Sequence, residues 1–186
     1  MKKYENWGAE DRIDVALLDN DVHYLSGEID NENIAKAIKW ILSANLNKKP
    51  KKTLQFYINS TGGDLYETFA LIDVMRKSYH DISTIGVGAI MSAAFLIFAS
   101  GKQGKRYIGK NTGIMNHQHS DAMESKMHDM KAQMQENQYC EERSFYILKE
   151  ATGMTLAKVK VKLDCPSDQY FTAKQLIDLK IADHIL

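Results

Sequence analysis

Leu54-Gln55-Phe56-Tyr57-Ile58-Asn59-Ser60-Thr61-Gly62-Gly63 is the stretch whose reading decides the fold. Leu54 to Ile58 alternates apolar with polar or aromatic side chains, the period of a strand. After the two glycines Leu65, Phe69, Ile72 and Met75 recur at helical spacing. A strand that turns through glycine into a helix predicts α/β layering. The neighbouring segments repeat the alternation. Val22 to Ser26 is strand-like and closed by Gly27, and Ile34, Ile38 and Ile41 or Leu42 predict an amphipathic helix over 31–45. Ile82 to Val87 reads as a short buried strand, and Tyr107-Ile108 and Ile114 to Asn116 as two more. Ser92 to Ala99 is apolar on every face, which predicts a buried helix. Residues 1–12 are polar and aperiodic and are expected to be mobile, within an N-terminal arm over 1–20 ahead of one domain at 21–186.

Between Gly113 and Gly153 there is neither Gly nor Pro. From about 122 to 151 the chain is rich in Ala, Met, Gln, Glu and Lys, all strong helix formers. A helix of about 30 residues would be roughly 45 Å long, more than so small a domain is wide. Met123, Met127, Met130 and Met134 line one face of it. A helix that overshoots its own domain must bury such a stripe elsewhere, so self-association is expected. Asn137 and Glu141 limit the apolar length of that seam.

The chain has 186 residues, enough for one well-filled core and too few for two comfortable domains. Its 24 basic and 24 acidic residues balance, which argues against a nucleic-acid or anionic-membrane partner. The densest basic run, Lys48 to Lys52, holds a proline between two periodic segments and reads as a solvated loop. Cys140 and Cys165 form no CxxC, no secretory core stands at the N-terminus, and the longest apolar run, Ile90 to Ala99, is far too short to span a bilayer. A cytoplasmic protein with free thiols is the expectation.

Three places carry chemistry-bearing residues. The double glycine at 62–63, ahead of a helix, is either a tight turn or a set of exposed N–H groups suited to an anion or oxyanion. Ser92, at the exit of a strand into the apolar helix, is either an N-cap or a nucleophile, with small Ala93 and Ala94 beside it. His117 ends a short apolar strand and is either structural or a base. His119 stands two residues on, but no third residue at a credible spacing completes a zinc site.

Taken together, these segments resemble the proteolytic subunit of the Clp protease (ClpP family). INSTGG at 58–63 looks like the family's INSPGG, and Gly88 and Ser92 follow at the family's interval. Gly101 to Arg106 looks like its G-x-x-G-K-R, and Met115-Asn116-His117-Gln118 resembles its M-I-H-Q. Thr152-Gly153, Asp168 to Ala173 and the closing Ala182-Asp183-His184-Ile185-Leu186 resemble its C-terminal patterns, so the likeness runs over about 22–186. It implies a ClpP/crotonase-like spiral of β-β-α units, with the long helix as a projecting handle at about 118–151. It implies a serine endopeptidase with Ser92 as nucleophile, His117 as base and Asp168 as orienter of the imidazole, and the N–H groups of Gly63 and Ala93 as oxyanion hole. Asp164 is the alternative orienter. No cofactor is implied. The implied partners are further copies of the chain in a heptameric ring or stacked tetradecamer, an AAA+ unfoldase of the ClpX, ClpA or ClpC type, and unfolded polypeptide substrates, with no nucleic acid and no membrane.

The sequence also departs from the family. Thr61, Lys110 and His119 replace prolines, Ser167 stands where an arginine is common, and His119 to Glu124 replaces a glycine-rich strand. Sliding Ile90-Met91 onto the family's Ser-Met would remove the nucleophile, at the cost of an extra residue before Lys105. The rival readings are a catalytically silent ring component or adaptor, and an acyl-CoA enzyme on the same spiral.

Overall fold

The computed structural model describes residues 8–46, 50–118, 126–164 and 167–186. Helix α1 (Ala9–Asp19) precedes strand β1 (Val22–Ser26), helix α2 (Asn31–Leu46) and strand β2 (Thr53–Ser60). Then come α3 (Leu65–Lys77), β3 (Asp81–Met91), α4 (Ala93–Ala99), β4 (Arg106–Ile108) and β5 (Gly113–Asn116). The long helix α5 (Met127–Thr152) is followed by α6 (Leu156–Leu163), β6 (Gln169–Phe171), α7 (Ala173–Asp178) and β7 (His184–Ile185). The elements form the expected α/β spiral. Strands β1-β2-β3-β4-β7 lie side by side and parallel, β5 joins β3 in parallel, and β6 pairs antiparallel to β5.

Strand β3 runs past the expected end at Val87 because it serves two neighbours. Its first part pairs with β4 (Thr84↔Arg106), its last part with β5 (Ala89↔Gly113). Between them the register against β2 jumps from Ile58↔Gly86 to Ser60↔Ile90, leaving a bulge opposite Asn59. The Asn59 carboxamide oxygen accepts the Ala89 N–H at 3.0 Å. Gly88 takes φ 65° there, and a Cβ on it would meet that oxygen at 2.4 Å, so only glycine fits.

The core lies between the sheet and its helices. All seven residues of α4 are buried, as the all-round apolar sequence requires, against Phe56, Ile58, Ile90 and Leu148 among others. Each such Phe, Leu or Ile stabilises the fold by about 1.5–3 kcal/mol through area removed from water. Arg106 is the exception, a guanidinium only 2% exposed. It donates to both Asp183 carboxylate oxygens, at 2.9 and 2.8 Å, and to the carbonyls of Ala99 and Ala151. One side chain thereby ties β4, the ends of α4 and α5, and the C-terminal segment. Burial pushes the Asp183 carboxyl up, but Arg106 outweighs it and holds the group below the ordinary carboxylate range.

Two expectations are corrected and a third holds. The arm is helical over 9–19, which overturns the aperiodic reading of 1–12 at residues 9–12 while 1–7 lie outside the described residues; the Asp11 carboxylate accepts the Gly8 N–H at the helix start, although α1 buries none of its residues. Helix α5 begins at Met127 after an extended Lys126, and Gln118 is outside any helix rather than in the handle, while the expected start near 122 falls in 119–125, outside the described residues. The basic run is a loop, as expected, where it is described, with Lys51 paired to Asp81 at 3.0 Å and Lys52 to Asp21 at the surface. Gly153 ends α5 in the left-handed conformation, the physical reason for the Thr-Gly pair. The helix does overshoot. No residue from Met127 to Tyr139 is buried, and Met127 is 71% and Met134 55% exposed, while Met123 is outside the described residues.

Candidate active site

Strand β3 delivers Ser92 to the mouth of α4 in a conformation rare for a side-chain-bearing residue, φ 54° and ψ −125°. Its N–H donates to the Met115 carbonyl at 3.0 Å and its carbonyl accepts the Phe95 N–H at 2.9 Å, so the backbone is held at both ends. Its hydroxyl makes no cap to the helix. The Oγ lies instead 2.8 Å from Nε2 of His117. Residue 90, the alternative in the slipped alignment, is a fully buried strand residue paired with Ser60 and Ile114. A serine on a strained strand-to-helix turn beside an imidazole has the layout of an activated nucleophile.

His117 comes directly after β5, whose last pair with β6 is Asn116↔Gln169. One further step along this antiparallel ladder sets His117 against Asp168. Nδ1 and Oδ1 are 3.6 Å apart, too long for a hydrogen bond but within ion-pair range once the ring is protonated. The His117 side chain is 27% and that of Asp168 54% exposed. Asp164, the alternative orienter, ends α6 and lines the cavity beside Ser92, and the ion pair recorded for His117 is to Asp168. His119 and Cys165 lie outside the described residues, and among the described residues no cluster of His, Cys, Asp or Glu could hold a metal.

The two glycines of the INSTGG loop have separate tasks. Ser60 Oγ accepts the Gly62 N–H at 3.1 Å and shapes the turn. Gly62, at φ 109°, packs against Ser92: a Cβ on it would sit 2.7 Å from Ser92 Cβ and 3.2 Å from the Ala93 nitrogen. Gly63, at φ 148°, packs on the Ile29 backbone, where a Cβ would be 2.3 Å from a carbonyl oxygen. Gly63, Ser92, Ala93 and His117 all line one cavity of about 330 Å³. Ala93 opens α4, so its N–H is one of the first-turn donors with no intrahelical acceptor.

The rest of the cavity was not legible in the sequence. Leu96 of α4, Phe145 and Leu148 of α5 and Leu163 of α6 make its apolar walls, with Glu141 and Ser144 of α5 also lining it. Nothing in the spacing of these residues connects them to Ser92, because three separate helices bring them there. Asn116 holds α6 in place by donating to the Leu163 carbonyl at 2.8 Å.

The model of the Clp protease family matches residues 7–186, nearly the whole chain. The chain belongs to the Clp protease family. The match begins earlier than the likeness read from about residue 22, so it takes in α1. The chain is 33% identical over 170 residues to the "ATP-dependent Clp protease proteolytic subunit 1" of Leifsonia xyli subsp. xyli (strain CTCB07), covering 91% of this chain and 84% of that protein. It is 28% identical over 176 residues to the protein of the same name from Corynebacterium jeikeium (strain K411), covering 95% and 92%. These relationships favour a Clp proteolytic subunit over a silent ring component or an acyl-CoA enzyme. Family membership carries the general class, a serine peptidase hydrolase. No described helix is long and apolar enough to cross a membrane.

Proposed function

We propose that this Clp family member is a serine endopeptidase in which Ser92, His117 and Asp168 cleave unfolded polypeptides. The 2.8 Å contact between Ser92 Oγ and His117 Nε2 carries the reading. In the first half-reaction His117 Nε2 takes the hydroxyl proton as Ser92 Oγ bonds to the scissile carbonyl carbon. Negative charge then moves to the carbonyl oxygen, where the N–H groups of Gly63 and Ala93 receive it. One such donor is typically worth about 3–4 kcal/mol in the transition state. Asp168 balances the imidazolium charge. The imidazolium returns its proton to the leaving amine, the C–N bond breaks, and an acyl-enzyme remains on Ser92. Water activated by the same imidazole then releases it. The apolar cavity takes the side chain that precedes the cleaved bond, and no metal or cofactor enters any step.

The exposed half of α5, with Met127 and Met134 at its surface, supports assembly of the chain with its own copies. In this reading subunits form a heptameric ring or a stacked pair in the cytoplasm, fed by an AAA+ unfoldase. The test is a fluorophosphonate probe with mass readout, together with peptide hydrolysis. The protein should take one label on Ser92 and cleave peptides, and Ser92→Ala should lose both while keeping its particle mass. Hydrolysis that survives Ser92→Ala would overturn the assignment.

A further inference from the structure

We propose that Glu141 makes the cavity beside Ser92 selective for a substrate side chain ending in a cation, lysine or arginine, immediately before the cleaved bond. The proposal rests on the peptidase reading and adds a substrate class to it. The cavity walls from Leu96, Phe145, Leu148 and Leu163 are apolar, but its polar lining from α5 and α6 is not neutral. Two carboxylates, Glu141 and Asp164, line it, and no lysine or arginine does among the described residues. Lys160 stands over the Phe145 ring, 5.3 Å from its centroid, without lining the cavity, and Arg143 turns to Glu136 at 3.2 Å.

Glu141 is also held in place. The Gln118 carboxamide N–H donates to its Oε1 at 3.0 Å, from the residue next to His117, which links the carboxylate to the catalytic strand. A carboxylate only accepts hydrogen bonds, and the one donor from Gln118 leaves capacity on its two oxygens for a further donor brought by a substrate. The Ser144 hydroxyl cannot supply one, because it donates to the Cys140 carbonyl at 2.9 Å. A wholly apolar substrate side chain would strip water from these acceptors and return nothing. A side chain with a long aliphatic stem and a cationic end covers the apolar walls and brings donors to these carboxylates.

The experiment measures kcat/KM of the full chain on short fluorogenic peptides that differ only in the residue before the cleaved bond: lysine, its uncharged isostere norleucine, or glutamate. Wild type should prefer lysine over norleucine. Glu141→Gln should lower that ratio about tenfold, the size expected for one charge-assisted contact at a half-buried site. Glu141→Lys should lower it further and favour the glutamate peptide over the lysine peptide. Fluorophosphonate labelling of Ser92 is read on the same samples. A protein that labels and hydrolyses but prefers norleucine, or whose ratio is the same in all three forms, overturns the selectivity alone. A protein that neither labels nor hydrolyses overturns the peptidase reading and the selectivity with it.

Discussion

Replacing Gly62 by alanine would push a methyl group against Ser92 while leaving every group that takes part in the proposed chemistry present. The added Cβ would lie 2.7 Å from Ser92 Cβ, where ordinary contact begins at 3.4 Å, so the two must separate by about 0.7 Å. The Met91 carbonyl at 3.0 Å and the Ala93 nitrogen at 3.2 Å leave little room on the other sides. Ser92 is anchored at both ends by backbone hydrogen bonds, so the displacement is shared between the INSTGG loop and the mouth of α4. Misplacing a reacting group by about 1 Å can cost on the order of 10²-fold in rate. The left-handed φ of 109° adds backbone strain of about 1–3 kcal/mol to the folded state. The expected outcome is a kcat lowered by roughly 10²-fold, slower fluorophosphonate labelling of Ser92, and a modest fall in Tm. Gly104→Ala is the control. Its φ is 82°, but nothing lies within 4 Å of the added Cβ, so it should lower Tm and leave the labelling rate alone. If Gly62→Ala labelled at the wild-type rate, the close packing of loop and nucleophile would not matter to the reaction.

Asp168→Asn should lower kcat by roughly 10²- to 10⁴-fold with little change in KM, toward the lower figure because the carboxylate is exposed and 3.6 Å from the ring. An Asp164→Asn variant with the larger loss would reverse the choice of orienter. Arg106→Met leaves the Asp183 carboxylate without its guanidinium and should cost about 3–5 kcal/mol in urea unfolding. Adding Asp183→Leu should recover much of that, and a double variant as unstable as the single would refute the ion-pair account. Burial against Trp40 and Phe56 lowers the His23 pKa from 6.5 to about 4. The folded protein therefore binds this proton less readily than the unfolded chain. The contribution is fully present above pH 6.5 and is lost as pH falls through 4, by up to roughly 3 kcal/mol. Unfolding free energies at pH 7 and pH 4 should differ by less in His23→Phe.

Much of the fold was legible because it rests on local periodicity. LQFYI with its glycines and apolar helix face, and the all-apolar run at 92–99, specify their elements by period and composition, whatever surrounds them. The misses have the opposite character. Strand β3 continues past Val87 only because β5 arrives to pair with it and Asn59 captures the bulge. Helices α6 and α7 and strands β6 and β7 have 8, 6, 3 and 2 residues, too few to display a period. Where the handle helix starts was not legible, because a composition of helix formers does not say where the first turn is capped.

The candidate site divides the same way. Ser92, His117 and the double glycine could be singled out by residue type and local setting, although for each the residues alone favoured an ordinary structural reading. Their meeting is a tertiary event: β5 beside β3 carries the imidazole to the hydroxyl, and the β5–β6 ladder sets Asp168 opposite it. The candidate cavity is tertiary throughout, since α4, α5 and α6 each contribute one wall. Periodicity is a property of consecutive residues and survives in the bare sequence. A pocket is a property of residues that meet only after the chain has buried its core, and no one-dimensional pattern records that meeting.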